Sequence, residues 1–380
     1  MHDFVFKEVI DADIEAELSY IGFDSSYIHK AREKFEYKNI KIFDLSVAQA
    51  NILKQTALSV GADCATHRET ITGRTEKSDC ILGGSVSQIR KISEKLKLQP
   101  FGLKVLGYQL DEYVSDRGGI MAPKIVGILN VTPNSFSDGG MYNDFESAKT
   151  RLLEMIEDGA DIIDIGAEST KPHSTPVCDK EQLEKLLPLI DFAKDKTVLS
   201  IDTRSANVAE ECIKAGARII NDVSGFDYDK NMAETVAKYD VQVVIQHSFG
   251  DTDTMAENHV KTNLTDEIFL NLKQKIDYAV RAGIGQENII VDPGIGFGKT
   301  VEQNFELIRR IGELHSLGCL VMLGTSRKSF LEMKEKDNEY KDIFTVAMNA
   351  LALERGVDYL RVHNVKLHRE LVRLLRKFNG

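Results

Sequence analysis

The chain has 380 residues, of which 42% are hydrophobic and 28% charged, and a formal net charge of −11. That length exceeds one ordinary domain and suits two, and the composition is that of a soluble globular protein. The acidic balance argues against a nucleic-acid backbone as partner, and no apolar run approaches the roughly 20 residues needed to cross a bilayer.

The N-terminus, MHDFVFKEVIDAD, carries acids early and has no signal-peptide core. Five cysteines (Cys64, Cys80, Cys178, Cys212 and Cys319) are scattered without a CxxC pair, so neither a disulfide framework nor a zinc site is expected. A cytoplasmic chain is the simplest expectation. Residues 1–117 read as a small α/β domain. Helical stretches appear at SSYIHKAREKF, VAQANILKQTALSV and SVSQIRKISEKLKL, and short strand candidates at NIKIF, DCIL and GLKVLG. The polar segment Thr66–Ser78 reads as a loop, and RGGIMAP (117–123) as a hinge, so 118–123 is taken as the linker. No catalytic constellation lies in this part.

From about residue 124 to 380 the pattern changes. Short apolar runs recur at KIVGILNVT (124–132), ADIIDIG (160–166), TVLSIDT (197–203), ARIINDV (217–223), VQVVIQH (241–247), NIIVDPG (288–294), LVMLGTS (320–326) and YLRVHNV (359–365). Helical segments such as FESAKTRLLEMIEDG, SANVAEECIKAG and NMAETVAKY separate many of them, often closed by glycine. Strands alternating with helices imply parallel pairing, and eight units in this length predict a (β/α)8 TIM barrel. The alternative is an open doubly wound sheet, but no GxGxxG opens the first unit. The strand ends carry Asn130, Glu168 to Thr170, Asp202, Asn221, His247, Asp292, Ser326 and His363. A barrel gathers such ends around one mouth. Asp202 alone could be a helix cap, and His247 could be a satisfied core histidine.

Several motifs then occur in one order: GILNVTPNSFSDGG, DIGAESTKP, SIDT, INDVSG, DPGIGFGK, GTSRKSF and RVHNV. With these, the segment from about 124 to 380 resembles dihydropteroate synthase, the pterin-binding barrel enzyme of folate synthesis and a sulfonamide target. The resemblance says nothing about the first 117 residues. A pterin presents a row of N–H donors beside one carbonyl. Asp202, Asn221 and Asp292 offer acceptors and Lys328 a donor, each charged pair contributing about 1.5–3 kcal/mol. The resemblance places the same four residues around the pterin.

At the other substrate end, Asn130, Arg361 and His363 look like a diphosphate clamp, with Mg²⁺ bridging Asn130 and the diphosphate oxygens. Such an ion keeps most of its waters and needs few protein ligands, and Arg361 suits bidentate phosphate contact. The resemblance implies condensation of 6-hydroxymethyl-7,8-dihydropterin diphosphate with p-aminobenzoate, releasing pyrophosphate. It also implies two loops, Thr132–Asn143 and Glu168–Val177. Asp138 lies in the first and Lys171 in the second, and if both loops close over the substrates these opposite charges are expected to act in catalysis. Phe136, Thr170, Pro172 and Ser326 would wall the aminobenzoate site, and a helix N-terminus after Ser326 would receive its carboxylate. The expected partners are these small molecules, neither nucleic acid nor membrane, and a second copy in a homodimer.

Two positions depart from the family pattern: Lys171 stands where Arg is usual, and Ser248 where Met is common. A P-loop reading of GIGFGKT fails because Pro293 occupies the required glycine position. A methyltetrahydrofolate corrinoid methyltransferase would not need SFSDGG or RVH. A non-catalytic binding protein would be expected to lack Asn130, Lys328 or His363, and all three are present.

Overall fold

The structure is a computed structural model that describes residues 7, 9, 14–115, 122–131, 140–168, 177–248, 263–331 and 337–378. It divides into two units, Met1–Gly119 and Ile120–Gly380.

The N-terminal unit carries β1 (Tyr37–Ser46), β2 (Asp63–Ala65) and β3 (Lys77–Ser85) in an antiparallel sheet of order β1-β3-β2. β1 and β3 each run directly into a helix through the same device. Ser46 and Ser85 cap the next helix, and Gln49 and Gln88 return the bond to the cap backbone. Those helices, Val47–Leu58 and Val86–Leu96, bury Leu53, Ile89, Ile92 and Leu96 against Leu82 of the sheet. Each fully buried side chain of this kind contributes about 1.5–3 kcal/mol. NIKIF and DCIL lie in strands as expected, but GLKVLG does not: it opens the helix Leu103–Ser115. Leu103, Leu110 and Val114 repeat with helical spacing on its buried face. Gly107, which read as the end of an element, is a point of close approach. A Cβ there would stand 2.9 Å from both Lys97 N and Ser93 O of the neighbouring helix, and Ser93 Oγ donates to the Gly107 carbonyl at 2.8 Å.

The second unit is a closed barrel. Its strands are β4 (Lys124–Asn130), β5 (Ile162–Gly166), β6 (Val198–Asp202), β7 (Ile219–Asp222), β8 (Gln242–Gln246), β9 (Ile289–Asp292), β10 (Leu320–Leu323) and β11 (Tyr359–Val362). All pair in parallel in chain order, and β11 closes on β4. These are the eight apolar runs read from the sequence. Alternation sorts each strand into two faces. Ile163, Ile165, Leu199 and Ile201 pack in one cluster with helical Leu152, Met155, Leu186 and Leu189. Val126, Ile162, Ile219, Val244, Ile290, Met322 and Tyr359 form a separate apolar layer, one side chain from almost every strand, as in a filled barrel interior. The first helix begins at Gly140, inside the loop expected to run to Asn143.

Candidate active site

Polar residues at or just after the ends of the parallel strands gather at the C-terminal end of the barrel. Asn130 ends β4 and is exposed. Its register partner is Gly166 at the end of β5. A Cβ on Gly166 would lie 3.3 Å from Asp202 Cβ and 3.7 Å from Asn130 Oδ1, so this glycine keeps the space between Asn130 and Asp202 open.

Asp202 ends β6 and is buried. Its Oδ2 accepts from a terminal nitrogen of Arg361 at 2.6 Å. Among the described residues, its Oδ1 is a buried oxygen without a hydrogen-bond partner. Burial pushes this carboxyl up to about 7; Arg361 pulls the other way, and the nearby Asp164, Glu168 and Asp222 add to the rise. Arg361 Nε donates at 2.6 Å to Asp164. Burial opposes the charge on Arg361, but Asp164 and Asp202 outweigh it and hold the guanidinium firmly protonated. Asn221, opposite Asp202 in the β6–β7 register, donates from Nδ2 to Asp164 at 3.1 Å.

Asp292 ends β9, and its Oδ1 accepts the Gly294 N–H at 2.7 Å. Burial raises its pKa, countered first by Lys328. Burial pulls Lys328 down to about 8 against the attraction of Asp292. Lys328 Nζ donates to the Ile295 carbonyl at 2.5 Å and lies 4.5 Å from the centre of the Phe297 ring. Gly324 has the room to bring these groups together: its hypothetical Cβ would be 3.9 Å from Lys328 Nζ, 4.0 Å from Asp292 Oδ2 and 3.9 Å from Arg361 Cβ. Gly294 has φ +67, and a Cβ there would run into the His247 carbonyl oxygen, so the DPG turn requires glycine.

His363 follows β11. Its Nδ1 lies 2.9 Å from Ser326 Oγ, and its backbone N–H donates to the same oxygen at 3.2 Å. Burial, with Arg327 and Arg361 adding, pushes its pKa down to about 3, so the ring is neutral at pH 7. Ser326 is therefore a partner of His363 as well as a candidate wall residue. Among the described residues, a short 3-10 helix, Ser329–Leu331, follows Ser326 in place of the start of a longer helix. The chain turns there, with Arg327 at φ +58 and Lys328 N–H donating to the Thr325 carbonyl at 3.2 Å, and the next α-helix among the described residues starts at Asn338. The Arg327 N–H goes to Thr345 Oγ1 at 3.3 Å. The Arg327 and Lys328 amides are thus bonded within the protein.

Two strand-end residues have structural partners. Glu168 forms a buried ion pair with Arg204 at 2.9 Å. His247 is buried, with Nδ1 3.2 Å from Lys299 Nζ, and burial and Lys299 hold it well below the usual histidine range; it is the satisfied core histidine. Asp202 caps no helix, since Ser205 caps Ala206–Ala215. Phe136, Asp138, Thr170, Lys171 and Pro172 lie outside the described residues. Sequence reading missed Asp164, Ser200 and Lys299. Lys299, buried and pulled down to about 7 chiefly by burial, donates to the Gly294 and Phe297 carbonyls at 2.9 and 3.1 Å and so holds the loop after β9.

The donor set suits a hydrated divalent cation better than a protein cage. Among the described residues there is no group of three or more His, Cys, Asp or Glu that could hold a metal, while Asn130 offers one exposed amide at the strand end.

Comparison with known proteins matches residues 126–363 to the family described as pterin binding enzyme. A dihydropteroate synthase of Clostridium beijerinckii is 43% identical over 245 residues, covering 63% of this chain and 88% of that protein. A probable bifunctional folylpolyglutamate synthase/dihydropteroate synthase of Halobacterium salinarum is 37% identical over 335 residues. This chain spans 40% of that relative's length, but 83% of this chain is matched, so the similarity takes in part of the N-terminal unit. Among solved structures, the dihydropteroate synthase from Clostridium difficile, determined in the presence of pteroic acid, superposes with a TM-score of 0.64 at 39% identity. That match covers 68% of this chain and 97% of the other.

Proposed function

The chain belongs to the dihydropteroate synthases within the pterin-binding enzyme family, and we infer that its barrel condenses 6-hydroxymethyl-7,8-dihydropterin diphosphate with p-aminobenzoate. The observation that carries this reading is the buried oxygen of Asp202, beside Arg361, that has no hydrogen-bond partner among the described residues. A buried acceptor left open is costly unless a ligand donor meets it, and a pterin ring N–H is such a donor. Asn221 and Asp292 accept further ring N–H groups, and Lys328 donates to the ring carbonyl.

Arg361, His363 and Asn130 receive the diphosphate. The bonds of Arg361 to Asp164 and Asp202 use Nε and one terminal nitrogen, so the other terminal nitrogen is in neither and serves the phosphate oxygens. Ser326 accepts the His363 backbone N–H. In the arrangement we infer, it donates its own hydroxyl hydrogen to Nδ1, leaving Nε2–H to face the leaving oxygen. Mg²⁺, held by Asn130 and the substrate oxygens, would supply charge neutralisation of the departing pyrophosphate. The C–O bond of the pterin methylene breaks, the aniline nitrogen bonds to that carbon, and a proton is released from nitrogen. The pterin ring delocalises the methylene charge, so positioning and exclusion of water suffice without a strong base.

Asp138 and Lys171 are assigned as charges acting at the loops, and Phe136, Thr170 and Pro172, with Ser326, as the aminobenzoate wall. A homodimer is supported by exposed Ile343, Phe344 and Leu351 on helix Asn338–Leu353 and Leu367 and Leu374 on Val365–Phe378. A cytoplasmic setting is proposed on the five free cysteines. The test is pyrophosphate release from the purified protein with the pterin diphosphate, p-aminobenzoate and Mg²⁺. Release that does not require both organic substrates would overturn the reading.

A further inference from the structure

Asp164 lies inside the apolar run of β5 and is 1% exposed, and none of the roles above uses it. Its Oδ1 accepts the Ser200 hydroxyl at 2.5 Å. Its Oδ2 accepts both the Asn221 amide at 3.1 Å and Arg361 Nε at 2.6 Å. One carboxylate thus joins a group assigned to the pterin ring and a group assigned to the diphosphate.

The chemistry of the acceptor fixes both neighbours. A carboxylate has only lone pairs to offer, so Asn221 must turn its NH2 towards Asp164 and its carbonyl oxygen away. Asn221 is then an acceptor to the ligand, which matches the N–H edge of a pterin. Were that amide free to flip, it would present donors to donors. Likewise, Asp164 takes Arg361 Nε while Asp202 takes a terminal nitrogen, so the guanidinium plane is held at two points before any phosphate arrives. Asp202 meets Arg361 through Oδ2 and so keeps Oδ1 for the ring.

We propose that Asp164 is a positioning residue that orients Asn221 as an acceptor and aims Arg361 at the diphosphate, coupling recognition of the two ends of the pterin substrate. The proposal rests on the dihydropteroate synthase reading of the site. Asp164→Asn is the variant of choice, because it keeps the volume while placing an amide against Asn221, Ser200 and Arg361.

The experiment measures affinity for a pterin analogue and for inorganic pyrophosphate with Mg²⁺, and the KM for p-aminobenzoate. The variants are Asp164→Asn, Arg361→Lys and the double variant, beside the native chain. Asp164→Asn should weaken both ligands by at least about tenfold, with the p-aminobenzoate KM within about twofold, because charge-assisted bonds to the pterin half alone are lost. For pyrophosphate, the double variant should be within about twofold of the worse single variant, since residues acting through one contact are not additive. Fully additive losses, or unchanged affinities in a folded Asp164→Asn protein, overturn the proposal. Should that variant not fold, Ser200→Ala frees one oxygen of Asp164 without touching Arg361. It should weaken pterin and pyrophosphate together by roughly threefold or more, and unchanged affinities would overturn the proposal equally. A native chain that neither turns over nor binds the pterin analogue would overturn the functional reading itself, whereas an active native chain with an additive cycle removes only the role of Asp164.

Discussion

Replacing Asp202 by Asn keeps the side-chain volume and removes the charge, so it isolates what the carboxylate does. The amide oxygen can still accept from Arg361, which holds Oδ2 in the native protein. That leaves an NH2 where the open Oδ1 now points, so the pterin loses a charged acceptor and meets a donor. Loss of a hydrogen bond to a charged group costs about 1.5–3 kcal/mol, or roughly ten- to a hundredfold and more in Kd. Calorimetry with a pterin analogue whose ring does not titrate between about pH 5.5 and 8.5 also reads the pH dependence. The native carboxyl is pushed up to about 7 by burial, and a ring N–H favours its ionised form, so affinity should rise with pH through about 7 and then level. In the Asn variant the Asp202 part of that rise should be gone.

Folding stability moves the other way. The folded carboxyl sits above its ordinary value of 3.8, so the folded chain binds this proton more tightly than the unfolded one. That contribution is full below pH 3.8 and is lost as pH rises through about 7. The thermal midpoint of Asp202→Asn relative to the native chain should therefore climb across that window. A Kd within about twofold of native, with the native pH slope intact in the variant, would refute the reasoning.

Ser326→Ala removes the partner of His363 Nδ1. Pyrophosphate affinity should fall up to about tenfold, the worth of a neutral hydrogen bond, while an unchanged value with a raised p-aminobenzoate KM would make Ser326 a wall residue only. Gly294→Ala should lower the thermal midpoint and the soluble yield, because the methyl group meets the His247 carbonyl and φ is +67; native stability would remove the requirement for glycine. Residues 118–380 expressed alone should fold and turn over, since every described site group lies in the barrel unit; a folded barrel without activity would give the N-terminal unit a part in catalysis.

The barrel was legible because each strand is an apolar run too short for a helix, with a polar residue at its end or within three residues after it, as in NIIVDPG. The residues assigned to the pterin and the diphosphate stood out because they sit at or beside those ends. Asp164 and Ser200 did not. Within IIDIG and VLSID they read as single interruptions of a strand, and only the closed barrel puts them beneath Arg361. Lys299 was set aside with the rejected P-loop pattern, although its burial against two carbonyls is what shapes that loop. GLKVLG misled because Gly107 serves contact between helices, a tertiary reason invisible in a six-residue window. The pairing of Ser326 with His363 likewise depends on β10 and β11 lying side by side.

The pairing that closes the barrel sets Lys124–Gly127 of β4 against Tyr359–Val362 of β11. During synthesis, the first barrel strand therefore waits with one edge uncovered until the last strand leaves the ribosome, roughly ten to fifty seconds at ordinary elongation rates. Partial barrels with a free edge are aggregation-prone. Arg361 rides on that last strand, so the growing chain carries Asp164 and Asp202 without their shared cation until β11 arrives. Completing the cylinder and neutralising the site are then one event in the birth of the protein, and a nascent chain stalled before Tyr359 would have neither.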